Sequence, residues 1–230
     1  AVLHMVEMWI GPPAFRAGVL SYLKAHADGN ATADDLWNAL STASTQDVKA
    51  VLTTFLDQPG VPLVTVEPLS EGRVKLKQAR FLNAGAVAPR PQLWRIPVAL
   101  RYPDGSATTT KRVLLTKAEQ IVALDTKTPP AWIHPNADEV GYYRWSVPPA
   151  MFASLAADAG RVLDPRERVG FLGNASALLS AGRLRGDDYV RVLEAFASDP
   201  DPEVVGNVLA GLGIIRETFF SEGHEAEFAP

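Results

Sequence analysis

The sequence predicts an α+β multidomain chain. A helical segment covers 1–58, an antiparallel β-sandwich covers 59–147, and a helical-repeat, α-solenoid-like segment covers 148–230. Three observations predict this. Apolar residues recur with a period of about 3.6 before Asp57 and about 2 from Val61 to Val147, and the helical period returns after Pro148. The first change falls on a turn-like stretch, "DQPGVP" at 57–62. The last segment repeats one start signal, Asp then Pro, at Asp164–Pro165 and Asp201–Pro202.

The elements follow in order. Leu3, Val6 and Ile10, flanked by Met5 and Trp9, form a helix whose only polar residues are His4 and Glu7, so burial nearly all round is expected. Gly11 with Pro12 and Pro13 stops it and starts the next. That second helix carries Phe15, Val19, Tyr22 and Leu23, and "DGN" (28–30) is a turn. Thr32 is placed to cap a third helix, with Asp34 and Asp35 in its first turn. A fourth puts Val48, Val51, Leu52, Phe55 and Leu56 on one face. The β-region offers "VPLVTV", then "RVKLKQARFL", whose alternation slips between Gln78 and Phe81 and suggests a bulge. "WRIPVALRY" follows, with Trp94, Ile96, Val98, Leu100 and Tyr102 on one face, and "PDGS" (103–106) makes a hairpin turn. With "RVLL", "QIVAL", "AWIHPN" and "YYRWSV" the spacing fits a sandwich of roughly seven strands. Pro148 and Pro149 open the closing helices, whose stripes are Val169, Leu172 and Leu179, then Val205, Val208, Leu209 and Leu212. Gly182 sits at a helix end. The tail "SEGHEAEFAP" reads as frayed.

Composition narrows the function. With 47% apolar residues and 21% charged, the chain has material for a sizeable core. The net charge is −4 and the 22 Lys and Arg are scattered, which argues against nucleic-acid binding. There is no cysteine, so disulfides, thiolate metal sites and a cysteine nucleophile are excluded. No apolar run reaches the ~20 residues of a membrane span. The compartment stays open.

Catalytic patterns are missing. Of His4, His26, His134 and His224, no two stand three or four residues apart, so no helical histidine pair grips zinc. "HEAEF" (224–228) begins like H-E-x-x-H, but Phe228 stands at the second ligand position, and a polar tail is the preferred reading. "HPNADE" places His134, Asn136, Asp138 and Glu139 in one loop, where a turn is preferred over a loose metal site. Arg166 and Arg168 read as a solvated first turn with balanced charges, and Met5 and Met8 as core. No G-x-S-x-G elbow, P-loop or dinucleotide loop is present. The reading assigns no catalytic, cofactor-binding or metal residue to this chain.

Longer stretches are more specific. "VLHMVEMWIGPPAFRAGVLSYLKAHADGNATADDLWNAL" resembles the zinc aminopeptidases of the membrane-alanyl (gluzincin) family. Gly11, Phe15, Gly18, Tyr22–Leu23, His26, Asn30–Ala31–Thr32 and Asp35–Leu36–Trp37 carry the resemblance. "QPGVPLVTV", "LKQARFL", "LWRIPV", "WIHPNADEVGYYRWSV" and "RVGFLGNASALLSAGRL" extend it. It implies that 1–58 are the last helices of a thermolysin-like catalytic domain, 59–147 the sandwich and 148–230 the start of a C-terminal helical domain. It also implies a parent that removes N-terminal residues from peptides, with zinc activating water, a glutamate as general base and a tyrosine supporting the oxyanion.

This chain has neither the family's H-E-x-x-H nor its G-x-M-E-N, so the resemblance makes it scaffold and chamber wall, inactive alone. Its opening, "AVLHMVEMWIG", is then expected to be the middle of a larger enzyme's core. Residues 1–56 are expected to pack on the sandwich, on each other or on a second copy. The competing reading is a non-enzymatic β-sandwich and helical-repeat interaction module.

Overall fold

The computed structural model describes residues 1–88 and 90–219. The tail reading and the "HEAEF" comparison lie outside them. The described residues divide into two compact units: Ala1–Phe81 with Ala88–Pro148, and Leu82–Val87 with the described residues from Pro149 on. The architecture is mixed, with eight α-helices and two small sheets among the described residues.

The first unit opens on a turn only glycine makes easily. Gly11 takes φ 90, so α1 (Val2–Ile10) ends and α2 (Pro12–Ala25) begins with proline at its start. Thr32 caps α3 (Ala33–Ser44) in a reciprocal box with Asp35. Asp47 caps α4 (Val48–Leu56) by accepting from the Ala50 N–H. Val6, Leu40, Val48, Val51 and Leu52 form the shared core. Gly18 lets α2 touch α3: a Cβ there would lie 2.9 Å from the Leu40 Cα.

Burial is narrower than the apolar stripes predict. Of α1 only Met5 and Val6 are buried, and Leu3 is 45% exposed. Leu23 and Leu56, each 57% exposed, fall outside the stripes of α2 and α4. These short helices meet neighbours on one side, so residues at the stripe edges stay in water.

The strands are β1 (Pro62–Pro68), β2 (Arg73–Arg80), β3 (Ile96–Asp104), β4 (Ala107–Leu115), β5 (Glu119–Ala123) and β6 (Arg144–Ser146). One sheet runs β5-β2-β1-β6 and the other is β3-β4. The β3–β4 hairpin turns through Gly105 and Ser106, with Gly105 at φ 60. As expected, Trp94, Ile96, Val98, Leu100 and Tyr102 are all buried.

Three details correct the sequence reading. The described strands number six, because "AWIHPN" forms only two isolated bridges to β3, at His134 and Asn136. The pairing is not wholly antiparallel, since β6 runs parallel to β1. There is no bulge at Gln78, and the β1–β2 register runs unbroken from Pro62↔Arg80 to Pro68↔Val74. Gln78 keeps the inward phase. Its Oε1 accepts from the Trp94 N–H at 2.8 Å, and its Nε2 donates to the Trp94 carbonyl at 2.9 Å. Both ends of the buried amide are thereby satisfied.

The second unit holds α5 (Pro149–Val162), α6 (Pro165–Ser180), α7 (Gly186–Phe196) and α8 (Pro202–Phe219). Both Asp-Pro signals work as predicted. Asp164 caps α6 in a box with Glu167, and Asp201 Oδ1 accepts from the Glu203 N–H. Gly182 takes φ 65 just beyond α6. The segment 82–87 adds one bond here, from the Ala84 N–H to the Ser180 carbonyl at 3.1 Å. Phe171 lies between Phe152 and Phe196, with ring centroids 4.7 and 5.5 Å apart.

Two predicted stripes are rotated. In α6 the buried apolar residues are Phe171, Leu172, Ala175 and Leu178, while Val169 and Leu179 are half-buried. In α8 Val204, Val208, Gly211 and Ile215 face inward, while Leu209 and Leu212 are 63% and 40% exposed. Gly211 explains the rotation: a Cβ there would lie 2.7 Å from Leu193 Cδ2 and from the Tyr189 hydroxyl. The helix therefore approaches α7 through a residue with no side chain.

Arg168 is a further correction. It is not solvated: its side chain is 8% exposed and Asp199's is 5% exposed. Nε lies 2.7 Å from Asp199 Oδ2, Nη2 donates to Oδ1 at 3.0 Å, and Nη1 donates to the Leu163 carbonyl at 2.8 Å.

Candidate functional site

Residues 132–146 gather most of the buried polar chemistry of the first unit. Trp132, Ile133, His134, Asn136 and Ala137 are all buried. Backbone bonds of 2.8 and 2.9 Å tie His134 to Arg101 of β3. The chain then reverses through Asp138 at φ 62 and Glu139 at φ 46. Asn136 holds the reversal: its Oδ1 accepts from the Gly141 N–H at 2.8 Å and its Nδ2 donates to Glu139 Oε2 at 3.1 Å. Asp138 pairs with Arg101 at 2.6 Å and lies 3.6 Å from Arg112.

Tyr143 closes the arrangement. Its hydroxyl donates to the Pro135 carbonyl at 2.7 Å and accepts from the Ala99 N–H at 3.4 Å. Burial pushes its pKa well above the usual tyrosine range. Gly141 is obligatory beside it, since a Cβ would run into the Tyr143 ring and Asn136 Oδ1. His134 packs edge-on against Trp145 with centroids 5.5 Å apart, and its Nε2 lies 3.3 Å from Glu139 Oε1.

Of the four loop candidates, the structure thus brings His134, Asn136 and Glu139 together and sends Asp138 to arginine. Their contacts order the backbone. Among the described residues no group of three or more His, Cys, Asp or Glu could hold a metal ion. The resemblance assigns its zinc to the parent and names no residue of this chain as a ligand.

The other candidates are dispersed. His4 is exposed, 3.4 Å from Glu7. His26 packs on Tyr22 and lies 3.9 Å from Asp35. The Thr32 backbone N–H and hydroxyl, aided by His26, hold the Asp35 carboxyl below its ordinary pKa. His224 and Phe228 lie outside the described residues. Arg166 is exposed. Met5 is buried, with its sulfur accepting from the Tyr142 N–H at 3.4 Å, and Met8 is half-buried. Sequence reasoning passed over Gln78, Tyr143 and Asp199. Gln78 alone left a usable signal, a polar residue on the inward phase of an alternating strand.

The fold and this loop define a class: a helix-and-sheet segment whose polar side chains hold backbone, continued by short capped helices. Comparison with known proteins gives the family. Residues 1–55 match the peptidase family M1 domain, and residues 132–229 match the ERAP1-like C-terminal domain. The chain is 30% identical over 223 residues to aminopeptidase 2 of Candida albicans, covering 96% of this chain and 24% of that protein. It is 28% identical over 216 residues to the puromycin-sensitive aminopeptidase of Caenorhabditis elegans, covering 92% and 23%. It is also 28% identical over 219 residues to the tricorn protease-interacting factor F2 of Thermoplasma acidophilum, covering 94% and 26%. The chain belongs to the M1 aminopeptidase family, as the resemblance implied. It spans about a quarter of the length of these relatives.

Proposed function

We propose that this chain is a non-catalytic, C-terminal part of a zinc-dependent aminopeptidase that removes N-terminal residues from peptides. In this reading it supplies scaffold and chamber wall, and carries no catalytic, metal or cofactor residue of its own. Residues 1–58 are the closing helices of the catalytic domain, 59–147 a sandwich built from the two sheets, and 148–230 the start of a helical-repeat domain. Zinc and its ligands belong to other residues of the complete enzyme, and peptide is that enzyme's substrate.

The observation that carries the reading is the pair of family matches, one peptidase and one C-terminal domain, on a chain whose described histidines join no metal-holding set. Gln78 and Tyr143 support the sandwich: Gln78 of β2 bonds to Trp94, two residues before β3, and Tyr143, the residue before β6, accepts from Ala99 of β3. The test is hydrolysis of an aminoacyl chromogenic substrate by the purified 230-residue chain with zinc added. No turnover is expected, and zinc-dependent turnover that survives repurification refutes the reading.

A further inference from the structure

The first unit contains a polar recess of about 270 Å³ lined in part by Asn136, Glu139, Tyr142 and Arg144. Two of these carry opposite charges without meeting. Glu139 is 17% exposed, with Oε2 fixed by Asn136 and Oε1 beside His134. Arg144, at the start of β6, is half-buried and makes no side-chain hydrogen bond or ion pair among the described residues. A guanidinium offers five donors in a planar fork that matches a carboxylate.

The recess is smaller than the roughly 300–1,000 Å³ of drug-sized pockets, which suits a compact molecule. A carboxylate and a guanidinium that line one recess without pairing complement a ligand with an ammonium and a carboxylate on neighbouring atoms. From this geometry we propose that the recess binds a free α-amino acid. The ligand's ammonium faces Glu139 and its carboxylate is held by Arg144. The site stands whether or not the parent is an aminopeptidase.

Titration of the isotope-labelled chain with alanine, followed by NMR, tests this. Saturable shifts are expected at the Asn136 side-chain amide and at the Gly141, Tyr142 and Arg144 amides. Each ionic partner is a charge-assisted bond, so Arg144→Met, N-acetylalanine and alaninamide should each bind at least about tenfold more weakly. The two modified ligands test the site without altering the fold. The proposal is overturned by an absence of saturable shifts with alanine, by N-acetylalanine or alaninamide binding as tightly as alanine, or by unchanged affinity in Arg144→Met.

Discussion

Asp199→Ala should be the most damaging single polar deletion in the second unit. Asp199 and Arg168 form a two-pronged pair whose side chains are 5% and 8% exposed. Removing the carboxylate leaves a buried guanidinium held, among the described residues, only by the Leu163 carbonyl at Nη1. Breaking such a buried pair costs about 3–5 kcal/mol. Asp199 Oδ1 also accepts from the Asp201 N–H at 3.0 Å, and that loss adds about 1 kcal/mol. In a unit of this size each kcal/mol lowers Tm by about 4–8 °C, so a fall on the order of 20 °C is expected. The assay can separate the units. All five tryptophans, Trp9, Trp37, Trp94, Trp132 and Trp145, lie in the first unit. Far-ultraviolet circular dichroism should show the lowered helical transition, while tryptophan fluorescence keeps its wild-type midpoint. Arg168→Met with Asp199→Leu removes both charges and should recover most of the loss. A cost below about 1 kcal/mol for Asp199→Ala would refute the argument, as would a double variant no better than the single.

Two other outcomes follow from the first unit. Tyr143→Phe strips the Pro135 carbonyl and the Ala99 N–H of one buried partner each and should cost about 1–3 kcal/mol in urea unfolding followed by tryptophan fluorescence. The native Tyr143 pKa is raised, so above about pH 10 the folded state binds more protons than the unfolded one and the wild type loses stability. The gap to Tyr143→Phe should therefore narrow in alkali, and a gap that widens would contradict the assignment. Asp35 runs the opposite way. Its folded pKa is depressed, so its contribution is full above the unfolded value of about 3.9 and is lost as pH falls through the folded one. The Tm difference between wild type and Asp35→Asn should vanish in acid, and a difference constant from neutral to acid would count against the Thr32 cap.

Local chemistry made much of this fold legible. Gly11, Thr32, the two Asp-Pro starts, Gly105 and Gly182 each impose a conformation through their own backbone or side chain, and each was readable without knowing any neighbour. The misread features depend on partners distant in sequence. Gln78 breaks the apolar pattern because its partner is the Trp94 backbone, sixteen residues on. The stripe of α8 was rotated because hydrophobicity gives Gly211 no weight, although its missing side chain sets the contact with Tyr189 and Leu193. Arg168 looked solvated because its counter-ion is thirty-one residues away. The candidate loop was legible as a turn. The role of Tyr143 was not, because its hydroxyl meets β3 only in three dimensions.

The segment Leu82–Val87 belongs to the second unit although it is covalently part of the β2–β3 connection. The polypeptide consequently passes from one unit to the other three times. A single cut at the Pro148–Pro149 bond does not free a complete module at either end. Residues 149–230 excised alone would leave the Ser180 carbonyl without the Ala84 N–H that meets it in the whole chain. During synthesis, those six residues emerge well before the helices they join. The second unit is thus a discontinuous piece of chain, and dissecting it genetically calls for carrying 82–87 along with it.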